Sequence, residues 1–142
     1  VRVINLGAPA TAIHGADPKQ SHEIAAGSTI WEGDCTLVAA GTIPYFGFGL
    51  KMFAFAEIRD DRFHLRCGDP RIGEVLRNVP KAFAGTYFSD RVHDFLCEKI
   101  AIEALISDEE QGIPLEVGGE LIERNTRFEI GLGAPVTLAS LR

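Results

Sequence analysis

Apolar and polar side chains alternate along much of this chain with the two-residue period of a β-strand. The alternation is clearest in Arg62–Cys67, where Phe63, Leu65 and Cys67 fall on one face. We expect that face to be buried and the opposite face, which carries His64 and Arg66, to meet water. Apolar, strand-forming composition between turn residues predicts further strands at Val1–Leu6, Thr29–Trp31, Cys35–Ile43, Phe53–Ile58, Lys99–Ile106, Pro114–Val117, Glu120–Glu123, Thr126–Ile130 and Val136–Leu141.

Short polar or glycine-rich segments separate these strands. Glu32–Asp34 and Arg59–Asp61 are predicted as tight turns between neighbouring strands. Gly118-Gly119 is predicted as a two-residue hairpin turn, in which both residues need a positive φ. Residues 14–28 are polar and irregular, which favours a long loop, and Ser107–Gln111 is predicted as an acidic loop.

One segment has a helical period instead. Asp69 suits the N-cap and Pro70 the first helical position, and Pro80 is predicted to end the helix. Between them, apolar residues recur at i, i+3, i+4 and i+7, which predicts a single buried face. These apolar residues are Ile72, Val75, Leu76 and Val79.

Many short strands with a single helix do not give the βαβ alternation of a parallel sheet. The pattern predicts a mainly β fold, an antiparallel β-sandwich or flattened barrel with one packed α-helix. A chain of 142 residues is long enough for one domain with its own core, so residues 1–142 are expected to form a single domain.

Composition excludes several classes of protein. The net charge of −6 argues against nucleic acid, whose phosphates are bound by Lys and Arg, and against anchoring through a polybasic patch. No apolar run reaches the roughly 18–20 residues that a membrane span needs. Three widely spaced cysteines do not make a disulfide framework, which favours a reducing cytoplasm.

The stretch Tyr45-Phe46-Gly47-Phe48-Gly49 places aromatic rings between glycines. Glycine lets a ligand or a neighbouring backbone approach closely, and the rings offer a large apolar surface. The alternative is a bulged strand whose rings fill the core. Both interpretations fit the sequence.

Two turns carry carboxylates. Asp61 lies in a tight turn with free carbonyls on either side, and oxygen ligands of this kind suit a hard cation. Glu120 directly follows Gly118-Gly119, so its carboxylate is fixed and accessible, as a general base must be. The alternatives are a solvated acidic turn for Asp61 and an exposed glutamate at a strand end for Glu120.

Other sites lack the required spacing. His64, Cys67, His93 and Cys97 include the residue types of a zinc site, but His64 and Cys67 have opposite parity on one predicted strand and so point to opposite faces. The chain also has no G-x-S-x-G elbow, no P-loop and no dinucleotide fingerprint.

Taken in order, four stretches resemble the C-terminal domain of the diacylglycerol kinase / sphingosine kinase superfamily, especially its bacterial soluble lipid kinases. Pro44–Gly49 is similar to the family's Y-x-G-G-G stretch, and Ala56–Leu65 to its A-x-x-D-D-G-x-L-D-V hairpin. Gly85–Val92, after the helix, resembles the G-x-H…V segment, and Leu115–Glu120 the x-x-D-G-E turn. The resemblance covers roughly residues 35–142.

The resemblance implies a β-sandwich lobe that supplies the lipid side of a cleft. Glu120 matches the family's proton acceptor, which takes the proton of the lipid hydroxyl during transfer of the γ-phosphoryl group. The residues that match the rest of the substrate cleft are Tyr45, Gly47, Gly49, Gly118 and Gly119. The resemblance also implies a Mg²⁺ ion held by Asp61 and by the backbone carbonyls of Ile58 and Phe63.

In that family a separate α/β lobe binds ATP through a G-G-D-G-T loop, and this chain contains neither. We therefore expect the nucleotide-binding lobe of the same protein to lie outside this chain, and the chain alone to be inactive. The chain also departs from the family pattern in three places. Gly118 replaces an Asp, Arg62 replaces a Gly, and the family's His near the helix is either replaced by Tyr87 or absent.

Three functions fit these observations. The first is a lipid kinase domain acting on a diacylglycerol-like or sphingoid-like hydroxyl, in the cytoplasm with at most peripheral membrane contact. The second is a non-catalytic lipid-binding or regulatory β-sandwich derived from such a kinase. The third is an unrelated structural sandwich whose glycine turns mimic the motifs. A homodimer and the identity of the lipid are left open.

Overall fold

The structure is a computed structural model that describes residues 1–105 and 112–134. Its strands and helices follow one another as β1 (Arg2–Asn5), β2 (Ala10–Ile13), β3 (Ser21–Ile24), β4 (Thr29–Glu32), β5 (Leu37–Gly41), β6 (Phe63–Gly68), α1 (Ile72–Arg77), α2 (Val79–Ala84), β7 (Val92–Cys97), β8 (Lys99–Glu103), β9 (Ile113–Val117), β10 (Glu120–Asn125) and β11 (Arg127–Gly131).

The described strands form two antiparallel sheets and a separate hairpin. Sheet A has the order β11-β8-β1-β4, sheet B has the order β3-β2-β7-β6-β5, and β9 pairs with β10. Neither sheet closes into a barrel, since β11 and β4 are the described edges of one and β3 and β5 of the other. The predicted mainly β, antiparallel sandwich is confirmed.

The core lies between the two sheets, where each strand contributes its alternate side chains. Sheet A supplies Val3, Ile100 and Ile102, and sheet B supplies Leu65 and Phe95, all of them buried. The two-residue period of a strand is the reason for the core, because it places the apolar set of each strand on the same face.

The connection between β5 and β6, residues 42–62, lies across the outer face of sheet B. The predicted strand at Phe53–Ile58 is wrong, because this segment forms consecutive turns with local hydrogen bonds, such as Ala56 N–H to the carbonyl of Phe53 at 3.1 Å. Its alternating apolar residues still have a purpose, since the rings of Phe53 and Phe55 are buried against sheet B.

Residues 42–62, which we call the covering layer, also make a second prediction wrong. The face of β6 that carries His64 and Arg66 was expected to meet water, but all six residues of β6 are buried. Both faces of a strand become buried when a further layer packs on the sheet. The alternation on β6 therefore separates an apolar core from a second interior region that contains charged groups.

Other boundaries also differ from the prediction. Residues 14–28 are not one irregular loop, because β3 lies within them and pairs with β2. The turn predicted at Glu32–Asp34 does not join a hairpin, since β4 belongs to sheet A and β5 to sheet B. The strands β2 and β7 were not predicted. The predictions for Ser107–Gln111 and Val136–Leu141 fall outside the described residues.

The predicted helix is two short helices instead of one. Arg71, not Asp69, is the N-cap of α1, and Pro80 lies in the first turn of α2, where a missing N–H is tolerated. The apolar residues that were expected to be buried are largely exposed, including Ile72 at 81% and Leu76 at 67%. Among the described residues, no helix is long and apolar enough to cross a membrane.

Candidate functional site: two turns and a buried charge cluster

The Gly118-Gly119 turn joins β9 to β10 and fixes the position of Glu120. The two glycines have φ angles of 62° and 88°, and Val117 pairs with Glu120 across the turn. This is the two-residue hairpin turn that the sequence predicts. The side chain of Glu120 is exposed, and its carboxylate makes no ion pair with any residue in the described part of the chain.

The hairpin of β9 and β10 belongs to neither sheet. Within residues 1–105 and 112–134, β9 and β10 pair only with each other, and every residue of β10 is exposed. Glu120 does not line either of two cavities that lie in this part of the chain, one beside Asp94 and one between the ends of β5 and β11. A substrate cleft at Glu120 therefore requires a second surface that faces the hairpin.

Asp61 lies in the turn before β6, where two arginines already occupy its carboxylate. Arg59 Nε donates to Oδ1 at 2.9 Å, and Arg62 Nη1 donates to Oδ2 at 2.7 Å. The hydrogen bond from Arg59 lowers the pKa of Asp61. Two guanidinium charges at one carboxylate oppose the approach of a divalent cation. As arranged, these residues do not fit the Mg²⁺ ion that the resemblance implies at Ile58, Asp61 and Phe63.

The described residues also include no cluster of three or more His, Cys, Asp and Glu side chains that could hold a metal ion. Cys67 and Cys97 lie in the core between the sheets, whereas His64 lies on the outer face of sheet B, as their parity on the strand requires. Burial raises the pKa of both thiols, that of Cys97 to about 12, so both stay protonated at neutral pH.

The aromatic–glycine stretch forms a compact turn within the connection between β5 and β6. Leu50 N–H donates to the carbonyl of Gly47 at 2.8 Å, and Phe46 N–H donates to the carbonyl of Leu50 at 2.9 Å. The alternative of a core strand is wrong, because the side chains of Tyr45, Phe46 and Phe48 are exposed.

The five residues predicted to line the cleft beside Glu120 fall into two groups. Tyr45, Gly47 and Gly49 share the aromatic turn, and Gly118 and Gly119 share the β9–β10 turn. No strand pairing in the described part of the chain links the hairpin to either sheet. The structure thus brings the predicted residues together within each turn, but it does not by itself join the two turns into one cleft.

The structure reveals a group that the sequence did not predict, which we call the buried cluster: His64, Arg66 and Asp94. Asp94 Oδ1 accepts hydrogen bonds from His64 Nε2 at 2.8 Å and from Arg66 Nε at 2.6 Å. Asp94 Oδ2 accepts a further one from Arg66 Nη2 at 3.0 Å. All three residues are at most 4% exposed.

The covering layer and the loop before β7 complete the hydrogen bonds of the buried cluster. Phe55 N–H donates to His64 Nδ1 at 3.4 Å, which leaves the ring proton on Nε2, facing Asp94. Arg66 also donates to the carbonyl of Tyr87 at 3.3 Å. Burial alone raises the pKa of Asp94, but the hydrogen bonds from His64 and Arg66 and the charge of Arg66 outweigh it and hold the pKa below its usual value.

The buried cluster can fix the covering layer, but it offers no free group for chemistry, because both oxygens of Asp94 are engaged. A cavity of about 180 Å³ lies beside Asp94 and is also lined by Phe88, Ser89 and Asp90. A second cavity of about 230 Å³ lies between the ends of β5 and β11. Both are smaller than the roughly 300–1,000 Å³ of typical small-molecule sites.

The comparisons with known proteins do not extend these observations. No protein-family model, no curated protein sequence and no solved structure matches the chain. The fold is therefore defined by the structure itself.

Proposed function

We propose that this chain is the β-rich, substrate-side domain of an ATP-dependent lipid kinase. The observation that carries the proposal is the Gly118-Gly119 turn, which presents the exposed carboxylate of Glu120 at a fixed position in the chain. The ordered resemblance of four segments to the diacylglycerol kinase superfamily, on a β-sandwich of the expected class, supports it.

The proposed reaction is transfer of the γ-phosphoryl group of ATP to a diacylglycerol-like or sphingoid-like hydroxyl. The lipid oxygen attacks the γ-phosphorus, its proton passes to the carboxylate of Glu120, and ADP leaves with the electrons of the broken P–O bond. ATP binds to a nucleotide-binding lobe of the same protein, which is the second surface that Glu120 requires. Without that lobe the chain is inactive.

The exposure of Glu120 also keeps a second function open, a non-catalytic lipid-binding or regulatory β-sandwich. The pairing of Asp61 with two arginines favours it, because a family metal site is then unused. The two functions differ in one measurable respect, since only the first requires the Glu120 carboxylate.

The test is Glu120→Gln in the full-length protein, assayed for transfer of labelled phosphate from ATP to a panel of lipids. Because a general base contributes about 10²–10⁴-fold, we expect kcat to fall by at least about 100-fold. We expect KM for the lipid to change by less than about threefold, since the amide keeps the shape of the side chain.

Glu123→Gln is the matched control, because it removes the same charge from the same exposed strand. Its kcat should equal that of the native protein. Equal turnover of Glu120→Gln and Glu123→Gln would overturn the catalytic role of Glu120. Lipid binding by a native protein that transfers no phosphate to any lipid would favour the non-catalytic function.

A further inference from the structure

We propose that the aromatic turn at Tyr45–Leu50 inserts into the surface of a lipid bilayer, with Phe48 as its leading side chain. Phe48 is 106% exposed, so its ring contacts almost nothing in the chain. Tyr45 and Phe46 flank it at 49% and 59% exposure. Three adjacent aromatic side chains in water form an apolar surface that a folded chain ordinarily buries.

The backbone of the turn has a strained conformation at Phe48. Phe48 and Gly49 are its central residues, and their φ angles are 48° and 81°. Two positive φ angles are typical of type I′ turns, which favour Asn-Gly and disfavour a bulky residue at the first position. Phe48 is the one non-glycine residue with positive φ in the described part of the chain. A strained backbone that displays an aromatic ring to solvent points to a role for the ring outside the fold.

The distribution of charged residues around the turn indicates the kind of partner that it contacts. The chain has 20 acidic residues, yet none lies between residues 35 and 56, and the only charge in that interval is Lys51. The Lys51 ammonium group lies 5.7 Å from the centre of the Tyr45 ring, at the base of the turn. An uncharged aromatic tip above a single cation fits the interface of a bilayer, where rings lie at headgroup level and a cation meets phosphate.

The two short helices also carry exposed apolar side chains, and one of them ends beside the turn. The C-terminal end of α2 lies against the base of the turn, since a Cβ placed on Gly85 would be 3.2 Å from Cβ of Lys51. The exposed apolar residues Ile72, Leu76 and Phe83 belong to α1 and α2. Residues 71–84 carry Arg71, Arg77 and Lys81 against the single acid Glu74, in a chain whose net charge is −6. The C-terminal end of α2 thus lies beside the turn, and both helices carry exposed apolar side chains.

The proposed contact does not depend on phosphoryl transfer. It would hold a catalytic domain at the surface from which a lipid substrate comes, and it would equally serve a non-catalytic lipid-binding domain. Glu120→Gln should therefore bind vesicles as the native chain does, so that failure of the membrane contact and failure of the kinase reaction can be told apart.

The test is sedimentation of the chain with vesicles of phosphatidylcholine, with and without phosphatidylglycerol, at low and high salt. The key variant is Phe48→Asn, because Asn adopts the backbone conformation of this turn more readily than Phe. We expect its melting temperature to equal or exceed that of the native chain and its vesicle affinity to fall at least about tenfold. Native binding should persist at high salt, since insertion of rings is not screened.

Ile122→Ser is the matched control, because Ile122 is as exposed as Phe46 but lies on β10. Its vesicle affinity should be unchanged. A reporter variant combines Trp31→Phe with Phe48→Trp, which moves the only tryptophan of the chain to the turn. Its fluorescence should shift to the blue on addition of vesicles and be quenched by brominated acyl chains.

Any one of three results would overturn the proposal. The first is a native chain that sediments with no vesicle, and the second is vesicle binding by Phe48→Asn as tight as that of the native chain. The third is a loss of affinity in Ile122→Ser as large as that in Phe48→Asn. A concentration-dependent dimer that Phe48→Asn abolishes, without vesicle binding, would assign the aromatic turn to contact between two copies of the chain instead.

Discussion

Asp94 holds the buried cluster together on the outer face of sheet B. Its carboxylate is 4% exposed and accepts hydrogen bonds from both His64 and Arg66. A buried charge is tolerated when its partners satisfy it, and removal of one partner leaves the other uncompensated. The guanidinium of Arg66 would be that uncompensated charge.

We expect Asp94→Asn to lower the free energy of unfolding by about 3–5 kcal/mol. The amide keeps the size of the side chain, so the loss would come from charge and hydrogen bonding and not from a cavity. Urea unfolding at neutral pH measures it. Asp90→Asn, an exposed carboxylate four residues away, should change the free energy by less than about 0.5 kcal/mol. Equal effects of the two variants would contradict a structural role for the cluster.

The stability difference between the native chain and Asp94→Asn is also expected to depend on pH. Because the pKa of Asp94 is lower in the folded chain than its usual value, its contribution to stability is complete above the unfolded pKa of about 3.9. The contribution is lost as the pH falls through the folded pKa. The difference in unfolding free energy between native chain and Asp94→Asn should therefore be constant near neutral pH and shrink below about pH 4. A difference that stays constant down to acid unfolding would show that the charge of Asp94 is not responsible.

The end of β6 shows how one backbone position limits the packing of an element. Gly68 has φ 152° and pairs with Val92 on β7, and a Cβ at this position would collide with the backbone carbonyl of Arg91. The carbonyl belongs to the backbone immediately before β7, so it cannot rotate away as a side chain would. Gly68 thus allows β6 and β7 to approach where the chain leaves sheet B.

We expect Gly68→Ala to destabilise the chain by about 3 kcal/mol, because the strands must separate locally to accommodate the methyl group. Gly27→Ala is the matched control. Gly27 also has a positive φ, 77°, but an added Cβ there would meet nothing within 4 Å, so only backbone strain of about 1 kcal/mol is expected. Thermal unfolding of both variants measures the difference, and equal losses would refute the steric argument.

At the scale of the whole molecule, the described residues include three layers. These are sheet A, sheet B and, as the third layer, the covering layer of residues 42–62, in which the ring of Phe55 stacks on that of Phe88. Leu65 is fully buried at the centre of β6, where it packs in the core between the sheets. The adjacent His64 faces the third layer, where the rings of Phe53 and Phe55 lie 5.8 and 5.4 Å from its own. Because one strand serves both interior regions, we expect the layers to unfold together.

Leu65→Ala tests this expectation. It should cost about 2–5 kcal/mol and leave a single transition, monitored both by far-UV circular dichroism and by the exchange of the Phe55 amide. Leu121→Ala, which truncates an exposed leucine on the hairpin, should cost less than about 0.5 kcal/mol. Loss of protection at Phe55 while the sheets remain folded would mean that the third layer unfolds independently.

Local chemistry explains which predictions held. The Gly118-Gly119 turn was predicted correctly because its conformation is a property of two adjacent residues, and β1, β4, β6 and β8 were found because alternation reports one buried face. The boundaries of α1 and α2 could not be found in this way. Periodicity states that apolar residues share a face, but it does not state whether anything covers that face, and Ile72 and Leu76 remain exposed.

The sequence by itself determined the class of fold, the order of most strands and the positions of Glu120 and Asp61 in their turns. These features depend on neighbours in the chain. Tertiary structure alone decided that the polar face of β6 is buried, that Asp94 meets His64 and Arg66 across 28 or more residues, and that Phe48 is left in water. Such outcomes depend on which distant segments pack together. The neighbours of a residue in the sequence do not determine its partner on another strand.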